Sequence, residues 1–287
     1  MKLGIVGMLS EDFRTFRSDH MHPIRALGFT GFGFHLNGND IFEITDEDCV
    51  KFRKFLAPEE LDLAQFAIQY NECLFHPDQA VRDAVTAKIN RGTEISAELE
   101  AQVFLLRPGS LNPDGPWTPH RDNHLPEQTG RLVETLKPIA RKAEQEGVIL
   151  ALETHAVSIM DPPGKCREIV ELVGSKHLRL ILDAVNHFQS LQQVYQSSDW
   201  VNCIFDETGS ISPIAHIKDL KISNGLVLQI DQEIPGEGEL DLALVLKRFH
   251  AFHPDGYGLI EHLGPDKIPQ AATNVRRIAK ENGVSIY

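Results

Sequence analysis

Long apolar stretches are missing from this sequence, which holds nothing near the roughly 18 consecutive apolar residues of a membrane-spanning helix. Basic clusters are also missing. The densest, Arg276, Arg277 and Lys280, sits at helical spacing and reads as a solvated helix face. With a formal net charge of −13 the surface repels phosphate backbones, which argues against a nucleic-acid partner. Cysteine is scarce: Cys49, Cys73, Cys166 and Cys203 lie far apart with no CxxC spacing. That excludes a disulfide framework or thiolate zinc site and predicts free thiols in a reducing compartment. No Gly-x-Gly-x-x-Gly follows the first apolar run, which weighs against a dinucleotide fold. The start, Met1–Gly7, has one lysine and a run too short for a signal peptide, so it reads as a strand and a cytoplasmic location is expected. Internal repeats and low-complexity linkers are absent as well.

What is present is an alternation. Apolar runs at Leu3–Val6, Gly31–Leu36, Leu61–Ile68, Ala101–Leu106, Val148–Glu153, Leu178–Asp183, Ile214–Ile217 and Gly258–Leu263 are separated by amphipathic helical stretches. The best of these is Pro126–Gln145, where Leu132, Val133, Leu136, Ile139, Ala140 and Ala143 form one stripe. Gly147 follows in the position that favours a left-handed backbone, and Pro138 predicts a kink. Asp78–Asn90, Leu240–His250 and Ile268–Asn282 read as further helices. Repeated strand–helix units imply a parallel sheet, and eight of them favour closure. The chain's 287 residues suit one barrel, which needs about 250. The expected fold is therefore α/β, a (β/α)8 TIM barrel forming a single domain over residues 1–287.

Two connections stand out. Residues 107–126, rich in Pro, Gly and Asn, carry Trp117, His120 and His124, which are placed to close over a catalytic face or to pack against another subunit. Lys221–Leu228 centres on Asn224-Gly225 between apolar residues and predicts a tight β-hairpin.

Four apolar runs end in ionisable residues: Glu153, Asp183, His216 and Glu261. C-terminal strand ends converge on one point above a barrel. Three carboxylates meeting there repel one another, and a divalent cation removes that conflict. Any one of these residues alone has an ordinary explanation, as a helix cap, a solvated rim group or a hydrogen-bonded core histidine; four on consecutive strands do not. Mostly hard oxygen donors with one imidazole favour Mn²⁺, with Mg²⁺ or Co²⁺ as alternatives. His155 shares a strand face with Glu153 and is a candidate base or substrate contact. Lys218 shares a face with His216 and can orient a ligand or a substrate oxygen. Arg107 and His35 end the fourth and second runs and are candidate pocket residues.

The segments Ala151-Leu152-Glu153-Thr154-His155, Leu182-Asp183-Ala184-Val185-Asn186-His187, His216-Ile217-Lys218-Asp219, Pro235-Gly236-Glu237-Gly238-Glu239-Leu240-Asp241 and Ile260-Glu261 resemble the xylose-isomerase-like TIM-barrel superfamily. They cover the second half of the chain. The resemblance implies that Glu153, Asp183, His216 and Glu261 are metal ligands, that Glu153 and Glu261 transfer protons, and that the substrate is a sugar or sugar acid. Where that family often has a histidine three residues after the aspartate, this chain has Asn186, with His187 one later; both are candidate substrate contacts, as is Glu237. The chemistry implied is proton transfer through a metal-stabilised enediolate, giving an isomerase or epimerase.

A lyase using the same site is the main alternative: a dehydratase, a decarboxylase or an enzyme cleaving 3-keto-glycosides. An apurinic endonuclease would need more histidine ligands and a basic groove. A non-catalytic barrel would have no use for the ligand set. Long loops on one face leave room for a homo-oligomer.

Overall fold

A computed structural model describes all 287 residues. Each of the eight barrel strands leads into at least one helix, with a two-stranded arm inserted after the seventh. The strands are β1 (Lys2–Val6), β2 (Gly31–Asn37), β3 (Asp62–Gln69), β4 (Val103–Leu106), β5 (Leu150–Glu153), β6 (Leu178–Asp183), β7 (Ile214–Ile217), β8 (Asp219–Ile222), β9 (Ile230–Glu233) and β10 (Tyr257–Ile260). The helices are α1 (Ser18–Ala26), α2 (Asp46–Leu56), α3 (Gln79–Leu99), α4 (Pro126–Glu146), α5 (Pro163–Val173), α6 (Leu191–Tyr195), α7 (Ser197–Thr208), α8 (Leu242–Phe252) and α9 (Ile268–Glu281). Strands β1 to β7 and β10 close into a parallel barrel, with Lys2–Ile5 of β1 paired to Tyr257–Ile260 of β10 at the seam. The (β/α)8 expectation holds. No helix is long and apolar enough to cross a membrane.

Strand parity separates two cores. Val103, Leu105, Ala151, Ile181, Ile214 and Leu259 belong to a small cluster drawn from barrel strands, which fills the interior. Their neighbours Phe104, Leu150, Leu152, Leu180, Leu182 and Ile260 join the large cluster between barrel and helices. Successive residues of a strand point to opposite faces, so each strand serves both cores. The four cysteines are free, as expected, and three are buried.

Two local expectations need correction. Helix α3 runs on to Leu99, beyond the expected end at Asn90. Gly92 lies in that extension, and a Cβ there would sit 2.5 Å from the Phe104 ring. The glycine is a packing device, and tertiary contact overrides its low helix propensity. The second concerns the hairpin. Strands β8 and β9 pair antiparallel from Asp219↔Glu233 to Ile222↔Ile230, so residues 223–229 form a wide tip and Asn224-Gly225 is not a two-residue turn. Leu226 and Val227 lie in that tip and are 104% and 81% exposed. The pairing is set by the strands that the barrel anchors, which outweighs the local turn signal. Helix α4 continues unbroken through Pro138.

Candidate metal centre and the cavity above it

Parity also places the chemistry. Glu153 lies two residues after Ala151, Asp183 two after Ile181, His216 two after Ile214 and Glu261 two after Leu259. Each therefore points into the barrel at its C-terminal end. One ligand atom from each of the four lies within 4.8 Å of the others, and all four residues are buried. His216 Nδ1 is 3.6 Å from Glu153 Oε1, 3.5 Å from Asp183 Oδ2 and 3.0 Å from Glu261 Oε1. Both Asp183 oxygens, Glu261 Oε1 and His216 Nδ1 are buried without a hydrogen bond. Orphaned polar atoms are costly, and four converging on one point fit a shared cation.

Lys218 continues the same face two residues beyond His216. Its Nζ is 2.5 Å from Asp183 Oδ2 and 2.6 Å from Glu261 Oε1. Three carboxylates bring three negative charges and Lys218 offsets one. The two that remain match a divalent ion bound alongside a neutral imidazole. Asp183 and Glu261 are held charged: burial alone would raise Asp183, but Lys218 and His216 bring it below its ordinary value. The same opposition, with His216 ahead of Lys218, takes Glu261 well below the usual carboxylate range. Burial disfavours charge on His216, yet Glu261, Asp183 and Glu153 raise it well above its ordinary value. A cation binding here has to displace that proton.

Sequence reasoning missed Gln65. It lies in β3, fully buried, and its Oε1 accepts from His216 Nε2 at 2.9 Å. That bond keeps one ring proton on Nε2, so that the proton a cation would displace is the one on Nδ1, facing the carboxylates. A register shift between Phe32 and Gly33 of β2 lets β3 carry both Ala64 and Gln65 inward. The available signal was parity: Gln65 is two residues before inward-facing Ala67.

Above the centre opens a cavity of about 640 Å³, with Glu153 and Lys218 in its floor. His155 lines it and accepts the Val157 N–H on Nδ1 at 3.1 Å. Its proton is thereby placed on Nε2. Burial lowers its pKa, so the ring is neutral near pH 7. Trp117 packs over His155 with ring centroids 5.1 Å apart. Asn186 also lines the cavity, tied back by Nδ2 to the Thr154 carbonyl at 3.1 Å. His262, directly after Glu261, takes a left-handed backbone at φ 57° and reaches the rim.

The β8–β9 arm contributes Leu220, Ile230, Asp231 and Gln232 to the same wall. Its root is Asp219. One carboxylate oxygen accepts N–H bonds from Leu220 and Leu240, the other from Gly236 and Gly238, at 2.8 to 3.1 Å. Gly236 needs its positive φ of 87°, and a Cβ on Gly238 would lie 2.2 Å from Asp219 Oδ1. The Gly-Glu-Gly segment is thus a cradle for Asp219.

Other expected residues lie elsewhere. Glu237 is exposed and faces Asn274 Nδ2 at 3.4 Å. His187 is buried, bonded through Nδ1 to Asp161 Oδ1 at 2.6 Å, and does not line the cavity. Arg107 donates to the Tyr70 carbonyl at 2.9 Å and stacks 5.0 Å from the Tyr70 ring, also outside the lining. His35 points into the barrel with Nε2 unpartnered, and burial lowers its pKa. In the loop after β4, Trp117 and Pro119 reach the cavity, His120 caps a short helix and His124 is exposed. Buried Asn123 bonds Ser110 Oγ and the Val157 carbonyl, fastening this loop to the one after β5.

A model of the family described as xylose isomerase-like TIM barrel matches residues 22–282. Among solved structures, 3-keto-D-glucoside 4-epimerase from E. coli is 15% identical, covers 98% of this chain and 99% of its own, and superposes with a TM-score of 0.70. A xylose isomerase-like TIM-barrel protein from Mycobacterium smegmatis in complex with magnesium is 15% identical over 93% of this chain and 90% of that one, at 0.69. A probable 3-DHS dehydratase from Bacillus anthracis is 14% identical over 97% and 99%, at 0.70. At these identities the likeness is one of fold. No curated protein matches the chain in sequence.

Proposed function

The chain belongs to the xylose isomerase-like TIM-barrel family, and from that premise we propose that it is a divalent-metal-dependent sugar isomerase or epimerase. The observation that carries the reading is the convergence of the buried donor atoms of Glu153, Asp183, His216 and Glu261 just beneath a large cavity whose floor includes Glu153 and Lys218. Their mostly oxygen donor set suits Mn²⁺, with Mg²⁺ or Co²⁺ as alternatives. A divalent cation held there would supply Lewis-acid stabilisation of negative charge on a carbonyl oxygen.

The chain's own groups do the rest. Glu153 and Glu261 are the proposed acid/base pair, one removing the proton next to the carbonyl and the other returning one. Return to the opposite face of the same carbon gives epimerisation, and return to the neighbouring carbon gives isomerisation. The Nε2–H of His155 is oriented to donate to a substrate oxygen, because Nδ1 is engaged by Val157. Asn186 and Gln232 offer amides on two sides, while Trp117 and the arm limit the access of water. The acidic surface argues against a nucleic-acid substrate.

The test is mass spectrometry of ketoses, keto acids and inososes incubated in D₂O with the Mn²⁺-loaded enzyme, beside a Glu261→Gln control. Deuterium gain at constant composition, lost in the control, is expected. Loss of water, CO₂ or an aglycone would make the protein a lyase. No change with any compound, together with no bound metal by elemental analysis, would overturn the metal-centre reading.

A further inference from the structure

The cavity is far larger than one sugar requires. At about 30 Å³ per water it would hold on the order of 20 molecules, and a single hexose ring fills only part of that. Its chemistry divides with depth. The floor is ionic, with Glu153 and Lys218. The rest of the lining sets Trp117, Pro119, Val185, Phe188, Leu220 and Ile230 among amides and two imidazoles.

Lysine and arginine are missing from this outer part, whose basic groups are the imidazoles of His155 and His262. Lys218 is the one Lys or Arg in the lining, and it is held by Asp183 and Glu261. Arg107 is engaged with the Tyr70 carbonyl and ring outside the lining. Asp231 adds a carboxylate to the lining instead, bonded to Ser223 and Gln229 of the arm, in a protein whose net charge is already −13. A phosphate or carboxylate on the distal part of a substrate would meet that charge with no free Lys or Arg to offset it. Apolar rings with a few amides match the other kind of ligand, since a sugar or aryl ring offers a C–H or π face to an aromatic and hydroxyls to amides.

Resting on the sugar reading above, we propose that the substrate is an uncharged glycoside whose reacting ring carries a carbonyl. Its reacting ring sits on the Glu153–Lys218 floor. A second ring, sugar or aryl, packs between Trp117 and Phe188 and is bordered by the arm. Trp117 is the specificity residue for that second ring, and Asp231 selects against anionic sugars.

Calorimetric titration of the Mn²⁺-loaded protein tests this without requiring turnover. The probes are phenyl glycosides of common hexoses in both anomers, the corresponding neutral disaccharides, the parent hexoses and hexose phosphates. At least one phenyl glycoside or disaccharide is expected to bind about tenfold more tightly than its parent hexose, the size of one good ring contact. Which of the two series shows the gain identifies the second ring. Because Trp117 also packs on His155, Trp117→Ala should weaken hexose binding somewhat and glycoside binding several-fold more, and Trp117→Phe should restore most of the difference. The proposal is overturned if the tightest ligand is a hexose phosphate, if no two-ring ligand exceeds its parent, or if Trp117→Ala weakens hexose and glycoside equally. Tight glycoside binding with no deuterium exchange into any ketose, keto acid or inosose would sink the proton-transfer reading alone. Exchange into a hexose phosphate would keep that reading and sink this one.

Discussion

The two halves of the barrel are built from different materials. Around β1–β4 the helix-facing side is aromatic: Phe34 and Phe66 lie 5.4 Å apart, Phe66 and Phe104 also 5.4 Å, with Phe13, Phe16 and Phe52 grouped about Phe34. Around β5–β7 and β10 the same side is mainly aliphatic, with Leu150, Leu152, Leu178, Leu180 and Leu182. The inward strand ends differ more sharply. The second half ends in three carboxylates, a histidine and a lysine, all buried; the inward side of the first carries His35 near the end of β2 and Gln65 in the middle of β3. Interdigitated rings make one half a rigid wall. The other half accepts buried charge, which is costly to fold and is justified only by what it can bind.

If that division is real, changes in the two halves should fail in different ways. Glu261→Gln is expected to cost about 10²–10⁴-fold in proton exchange, measured as deuterium incorporation, with little change in melting temperature. Phe66→Ala should do the reverse: a loss of about 3–5 kcal/mol in denaturant unfolding, with exchange per folded molecule largely kept. A Phe66→Ala enzyme that is stable but inactive would break the comparison.

Gln65 is the exception that sharpens it, since it lies in the aromatic half and serves the charged one. Gln65→Leu should weaken metal binding by about 10–100-fold, read by competition with a chelating dye, and barely move the metal-free melting temperature. Gln65→Glu keeps the acceptor for His216 Nε2 and should retain more affinity than Gln65→Leu. Equal losses in the two variants would reduce Gln65 to a filler of space.

The smallest expected effect is in pH. Burial lowers His35, so its contribution to stability is present above its ordinary value of about 6.5 and is lost as pH falls below it. Glu261, Asp183 and Glu153 raise His216 against the effect of burial, so its contribution in chelated protein is full at acid pH and is lost as pH rises through the raised value. Melting curves against pH in the presence of chelator should show both limbs. His35→Phe should flatten the acid limb and leave the alkaline one; an unchanged acid limb would assign it to another group.

The second half was the easier to read from sequence, for the same reason that it is costly to build. A carboxylate closing an apolar run is an anomaly, and Glu153, Asp183 and Glu261 repeat it. The eight strands were legible because each is a short apolar run between amphipathic helical stretches, as strands buried on both faces require. Gln65 was hidden because one amide in an apolar run reads as tolerated polarity, and only the register shift beside Gly33 shows how it is carried inward. His187 and Glu237 were nominated by neighbourhood in the chain, whereas the short helix after β6 and the cradle around Asp219 turn them elsewhere. The hairpin was seen but misregistered, because its pairing is dictated from Asp219 and not from Asn224-Gly225.

The arm's construction bears on how such an enzyme can be altered. Its base is clamped by four N–H bonds to Asp219, and its inner edge supplies Asp231 and Gln232 to the cavity, while Leu226 and Val227 hang free. Residues 223–229 can therefore be lengthened, shortened or exchanged for another sequence without disturbing the floor. The arm is a graft point, through which a new outer wall can be fitted to an unchanged reaction centre.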